Sequence, residues 1–361
     1  PQAGHEDSRS VSGLIFEGRG PAGSGETASV LAEDGSGPPA AASLAKPDRP
    51  GPAAASALAG KTLLYVVSKI GGRDYLYDNM VRLSREYGFE LVVLGYPDQK
   101  DFAVSKGIKP ENYYSADIGN HSAENAASIT SQVQELASTR RIDAVKTYLN
   151  AYAQLEAELS HALGVPGYSP EAVRSAHTKS LARKLMNAYP DAGLHLPAFE
   201  ARGEAEAREA FLKIKAAGFD KAVAKPDSGG GGWGVTLNIA SPEAAAAAYR
   251  ELVAKIDELI RQDPRKARSK QVDQKPLALF EGQIPDGLML DAEMIVRDKT
   301  PAFTNLSYNP PALGNQERGT TYASALTPEM AALAKDQARK ALDAVGLKTG
   351  NAHVELIVTL V

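Results

Sequence analysis

The stretch Lys221-Ala222-Val223-Ala224-Lys225-Pro226-Asp227-Ser228-Gly229-Gly230-Gly231-Gly232-Trp233-Gly234-Val235 reads as strand, loop, strand. Ala222 to Lys225 is a short apolar run that ends in a lysine, and apolar residues resume with period two at Val235, Leu237 and Ile239. Four successive glycines give up conformational entropy and pack nothing. They offer backbone N–H groups that can close over an anion, with a lysine beside them. A plain hairpin is the simpler reading, but hairpin turns seldom need so many glycines in a row. The lysine precedes the glycines and no Gly-Lys-Ser/Thr follows them, which excludes a Walker loop. The next element reads as a strand, which excludes a dinucleotide fingerprint.

Working outward, 361 residues suggest two or more domains. A hydrophobic content of 43% with 23% charged residues is that of an ordinary globular protein. A net charge of −4 gives no reason to expect nucleic acid or an anionic membrane as partner. Without cysteine there are no disulfides and no thiolate metal sites. No apolar run approaches a membrane span, and a cytoplasmic location is expected. The first residue is Pro1, so a preceding targeting signal is left open.

Residues 1–60 are rich in Gly, Ala, Ser and Pro, and only Leu14-Ile15-Phe16 has the apolar character to pack. This predicts a disordered arm or linker, dispensable for the fold. From Lys61 the pattern is strand (Thr62 to Ser68), helix (Tyr75 to Tyr87, capped by Gly88) and strand (Phe89 to Leu94), hence an open parallel sheet. Gly71-Gly72 between the first two reads as a turn. A short strand (Asn112 to Ala116), a helix (Ala123 to Ala137), a strand (Ile142 to Tyr148) and a helix (Tyr152 to Leu163) complete an α/β domain at 61–168. A single helix is predicted from Ser169-Pro170 through Thr178-Lys179 to Ala188, and another from about Glu204 to Ala217. After the glycine hairpin, Ser241-Pro242 opens a long helix to about Gln262, followed by a charged loop to Lys275. Together these make a region at 169–276 that contains the glycine loop. Strands at Leu277 to Glu281, Met289 to Val296 and Ala302 to Leu306, a helix from Thr327 to Val345 and a strand from Asn351 to Val361 make the last region, 277–361. In that last strand Ala352, Val354, Leu356 and Val358 share one side, and His353, Glu355 and Ile357 the other.

The order of these parts resembles the ATP-grasp superfamily from about Lys61 onward. Five segments carry the resemblance: Leu163-Gly164-Val165-Pro166-Gly167; Thr178-Lys179 with Leu181, Arg183 and Leu185; Ala224-Lys225 with the glycines; Leu279-Phe280-Glu281-Gly282-Gln283-Ile284; and Gly350-Asn351-Ala352-His353-Val354-Glu355. The resemblance implies a mixed α/β and α+β architecture. Its parts are a Rossmann-like first domain, a small lid with the glycine loop and a larger antiparallel-sheet domain. The Gly-x-x-His-x-Glu strand is most similar to that of amino-acid ligases and dipeptide synthases. The implied activity is an ATP-dependent carboxylate–amine ligation through an acyl phosphate, with Mg²⁺, on small carboxylate and amine substrates such as amino acids. A biotin-carboxylase-like or purine-pathway enzyme, and an ATP-binding protein impaired in catalysis, are the alternatives, and a homodimer is left open.

The resemblance also implies roles. Lys179 and Lys225 contact ATP phosphates, while Ser228, Gly229, Gly230, Gly231, Gly232 and Trp233 form the covering loop. Glu281, Gly282 and Ile284 hold adenine, mainly through backbone groups. Glu355 binds Mg²⁺. His353 orients a substrate carboxylate or acts as a base, and Arg318, in the loop Asn305 to Thr321, clamps a carboxylate. Three positions depart from the family. Thr178 stands where an Asp is usual. Leu288 stands where an acid binds ribose, so that Asp286 or Asp291 substitutes. The family's Glu-x-Asn-x-Arg strand would follow Glu355, and the sequence ends at Val361 first. The expectation is of an incomplete last subdomain, truncated at its C-terminus, with an unpaired sheet edge beside Leu356 to Leu360 and weak ligation.

Overall fold

The computed structural model describes residues 10–15, 57–69, 74–230, 232–269, 276–284, 287–309, 321–322 and 326–359. The predicted Gly71-Gly72 turn, Gly231, Asp286, Arg318 and most of the 1–60 arm lie outside them. Among the described residues there are three sheets, each with its own hydrophobic core. Strand β1 (Ser10–Ile15) precedes the first of them in sequence but belongs to the last.

The first sheet is parallel. It comprises β2 (Thr62–Val66), β3 (Glu90–Gly95), β4 (Tyr113–Ser115) and β5 (Ala144–Lys146), in the order β4-β3-β2-β5. Leu64, Tyr65, Val66, Val92 and Val93 are completely buried, which is why the strands read as continuous apolar runs rather than as alternations. Helices α1 (Tyr75–Tyr87), α2 (Lys100–Ser105), α3 (Ala123–Thr139) and α4 (Ala153–Leu163) connect and flank these strands. Gly88 ends α1 in the left-handed conformation at φ 70°, as its glycine predicts.

Two helices, α5 (Pro170–His177) and α6 (Lys179–Ala188), lead to the second sheet. This sheet is antiparallel: β6 (Ala198–Ala201), β7 (Ala222–Pro226), β8 (Thr236–Ile239) and β9 (Ala278–Gly282), in the order β6-β9-β7-β8. It is backed by α7 (Glu204–Ala216) and α8 (Pro242–Gln262) through Phe211, Ile214, Tyr249 and Leu252. Ser241 caps α8 by accepting from the Ala244 N–H, with Pro242 in the first turn. The predicted charged loop instead begins with α9 (Pro264–Ser269), since Pro264 can open a helix as readily as it ends one.

The third sheet is antiparallel throughout: β10 (Leu288–Arg297), β11 (Thr300–Asn309), β12 (Thr321–Tyr322) and β13 (Gly350–Thr359), in the order β1-β13-β10-β11-β12. Leu290, Ala292, Met294, Val354, Leu356 and Val358 face a core formed with Ala334, Ala338 and Leu342 of α10 (Pro328–Ala344) and with Ala182 and Met186 of α6.

Strand β1 corrects two expectations. Ser10–Ile15 lies in the stretch predicted to be disordered, yet it pairs with β13, Val11 opposite Val358 and Ile15 opposite Glu355. The edge predicted to be unpaired beside Leu356 therefore has a neighbour on each side. An open edge offers a row of unsatisfied N–H and C=O groups, and a short β-prone segment satisfies them even when its surroundings are too apolar-poor to fold alone. Among the described residues no helix is long and apolar enough to cross a membrane.

Candidate nucleotide and cation site

The helix predicted to run unbroken to Ala188 breaks at Thr178, whose φ of −96° and ψ of 103° are extended. Helix α6 starts there with unsatisfied backbone donors and the positive end of its dipole. Asp227, at the base of the glycine loop, settles on it. The Lys179 N–H donates to the Asp227 carbonyl at 2.9 Å, and the Ser180 N–H donates to Oδ1 at 2.8 Å. Thr178 makes no side-chain cap. An acid contributed from the loop thus does what a preceding residue's side chain does at other helix starts. Replacing Asp227 by Ala is expected to cost about 1 kcal/mol of stability, and Asn to retain most of it, read as urea midpoints. An unchanged midpoint for Asp227→Ala would remove the capping role.

The loop itself needs its glycines. Gly229, Gly232 and Gly234 have φ of 96°, 66° and 75°. A Cβ at Gly234 would also meet Leu252 Cδ1 at 2.9 Å. Trp233 is half-buried against the α7–α8 core and anchors the far end of the loop. At the near end, Lys179 Nζ donates to the Gly229 carbonyl at 2.6 Å.

Glu281 of β9 sits between two cations. Its Oε1 accepts from Arg183 Nε at 2.6 Å and its Oε2 from Lys225 Nζ at 2.6 Å. All three residues are buried, at 5% exposure or less. Burial alone pushes the Glu281 carboxyl up, but the Arg183 guanidinium and then the Lys225 ammonium outweigh it and hold the carboxyl at about 2. Glu281 acts through its side chain, holding Lys225. The N–H groups of Gly282 and Gln283 donate to the carbonyls of Pro197 and Lys221, so those donors are committed to the sheet. Ile284 follows, half-buried.

The third sheet turns a polar row away from its core. Asp291 of β10 is directly opposite Glu355 of β13, and Glu293 directly opposite His353. His353 Nδ1 lies 2.8 Å from Glu293 Oε1, while Nε2 lies 3.7 Å from Asp291 Oδ1 and 3.6 Å from Glu355 Oε1. Burial alone pushes the imidazole down. Glu293, Glu355 and Asp291 outweigh it and hold the imidazole up at about 10. Three carboxylates around one ring demand a positive charge there, which a proton meets when no other cation does.

Lys179 thus meets the glycine loop at Gly229, Lys225 is paired with Glu281, and Glu355 and His353 lie side by side on the third sheet. Asp291 joins Glu355 and His353, where the sequence reading put it in place of the ribose acid. Gly231 and Arg318 lie outside the described residues. Three contributors went unassigned in the sequence: Asp227, Arg183 and Glu293. Arg183 is one helical turn from Lys179, and Glu293 alternates with Asp291 on one face of β10, so periodicity carried both signals.

No family model matches the sequence, and no curated protein matches it. Solved structures are similar in fold. An L-amino acid ligase from Bacillus licheniformis superposes with a TM-score of 0.59 at 18% identity over 82% of this chain and 65% of that one. An N5-carboxyaminoimidazole synthetase from Staphylococcus aureus, complexed with ADP, gives 0.54 at 15% identity over 83% and 69%. The biotin carboxylase domain of the Hydrogenobacter thermophilus 2-oxoglutarate carboxylase, a dimer in complex with MgADP, ADP and bicarbonate, gives 0.55 at 15% identity over 82% and 63%. The chain therefore spans about two thirds of the length of these proteins.

Proposed function

We infer, from the ATP-grasp fold that this chain has, that it binds ATP with Mg²⁺ and joins a carboxylate to an amine. The observation that carries this reading is that Lys179 binds the Gly229 carbonyl of the glycine loop while Lys225, on the strand that enters that loop, is held by Glu281. Each lysine is buried and bound to an internal acceptor, so its charge is desolvated and positioned before any phosphate arrives. A triphosphate would take over from the Gly229 carbonyl at Lys179 and share Lys225 with Glu281. The loop amides would close over it and keep water from the reacting atoms. Glu355 would hold Mg²⁺ together with phosphate oxygens.

The reaction is carboxylate attack on the γ-phosphorus with release of ADP, then amine attack on the resulting acyl phosphate with release of phosphate. The metal ion offsets the repulsion between carboxylate and phosphates. Amino acids are the substrates favoured by the Gly350 to Glu355 segment and by the similarity to the Bacillus ligase.

The decisive assay measures ADP release with MgATP and a mixture of amino acids, against a parallel sample with bicarbonate. Release that depends on amino acids supports ligation, and release only with bicarbonate overturns the amino-acid assignment. Lys179→Ala and Lys225→Ala are each expected to weaken ATP binding by about 1–3 kcal/mol in calorimetry, the scale of a charge-assisted contact. Unchanged affinity in both variants would sink the phosphate assignment.

A further inference from the structure

The polar row on the third sheet combines donors that a pure magnesium site does not need. Asp291 and Glu355 are 1% and 6% exposed, and His353 lies between them. One ligand atom from each of Asp291, His353 and Glu355 falls within 4.8 Å of the others. His353 Nε2 is buried and makes no hydrogen bond, and its separations of 3.7 and 3.6 Å from the two carboxylates are too long for one. Two ligand atoms bound to one metal at about 2.1 Å stand roughly 3.0–3.6 Å apart, close to that spacing.

The other ring nitrogen is already engaged. Nδ1 lies 2.8 Å from Glu293 Oε1, with Glu293 and His353 register partners on adjacent strands. A carboxylate behind a ligating histidine fixes its tautomer with the proton on Nδ1 and directs the Nε2 lone pair outward. The strand pairing sets this geometry, because Asp291 and Glu355 are opposite each other one step along the same face.

We propose that Asp291, His353 and Glu355 form a divalent-cation site that prefers Mn²⁺, Co²⁺ or Zn²⁺ to Mg²⁺ and fills without nucleotide. The reason is the donor set. Mg²⁺ takes oxygen ligands and keeps its waters, and gains little from an imidazole. The later divalent ions bind imidazole nitrogen strongly, in the order of the first-row series. The inference deepens the proposed function by naming the cation of the same site, and rests on that reading only in assigning Glu355 to a metal.

The test uses the full chain freed of metal with a chelator, in the absence of nucleotide. Mn²⁺ is titrated by electron paramagnetic resonance of the free ion, and Mg²⁺ by competition against it. One Mn²⁺ per chain is expected, bound at least tenfold more tightly than Mg²⁺. His353→Gln should weaken Mn²⁺ binding about tenfold or more, and Glu293→Gln by about ten- to a hundredfold. Lys225→Ala should leave it unchanged. Equal affinities for Mn²⁺ and Mg²⁺, or an undiminished Mn²⁺ affinity in a folded His353→Gln protein, would overturn the proposal. If His353→Gln fails to fold, unaltered Mn²⁺ binding in Glu293→Gln does the same. Loss of ATP binding in the lysine variants with Mn²⁺ binding intact separates this site from the nucleotide assignment.

Discussion

Gly350→Ala is expected to destabilise the protein by about 3 kcal/mol or more, measured by urea denaturation. Two independent costs combine. The Gly350 φ of 136° is one that residues with a Cβ rarely adopt. The added Cβ would also fall 2.0 Å from Tyr168 Cε1 and 2.3 Å from Cδ1. The ring cannot simply swing away. The Tyr168 hydroxyl donates to the Asn351 carbonyl and accepts from the Asn351 N–H, both at 3.1 Å, and accepts from Lys146 Nζ at 3.2 Å. These contacts tie the start of β13 to the parallel-sheet region, so the substitution should also disturb the strand that bears His353 and Glu355. Tyr168→Ala placed in the Gly350→Ala background should recover the steric part and leave the backbone part. A Gly350→Ala protein as stable as the parent would show that the chain passes this point differently.

Glu281→Gln is expected to cost about 3–5 kcal/mol, because it leaves the Arg183 and Lys225 charges buried without their carboxylate. The same group makes stability depend on pH. Its folded value of about 2 lies below the 4.5 usual for glutamate. As pH falls, the unfolded chain takes up the proton first. The contribution is therefore complete above about pH 4.5 and is lost as pH falls from there toward 2. Urea midpoints across that window should drop less steeply in Glu281→Gln than in the parent. Replacing Arg183, Lys225 and Glu281 together by Met, Met and Leu should recover most of the loss, which separates an uncompensated charge from poor packing. A Glu281→Gln midpoint equal to the parent's would mean that the three groups are hydrated and the pairing is weak.

Much of this architecture is legible in the sequence. The strand–helix alternation from Thr62 to Leu163 predicted the parallel sheet, because strands buried on both faces need continuous apolar runs. Ser241-Pro242 marked the start of α8, since a cap and a missing N–H act locally. The alternation in Asn351 to Val361 put His353 and Glu355 on the face opposite Val354 and Leu356. Such signals are legible because their periods depend only on neighbours along the chain.

What the residues could not disclose by themselves are the pairings between distant segments. Thr178 reads as helix interior, and only Asp227, which caps the new helix start at Ser180 from 47 residues further along the chain, marks the break. Nothing along the chain shows that Arg183 and Glu281, 98 residues apart, are ion-pair partners. Period two announces which face of β10 carries Asp291 and Glu293. A register shifted by two residues would keep that face, yet would no longer set Asp291 against Glu355 and Glu293 against His353. The sequence determined the parallel sheet, the glycine loop and the polar faces, because local sterics and hydrophobic periodicity suffice for them. The tertiary structure alone decided which charges met, because that depends on the packing of segments the chain order keeps apart.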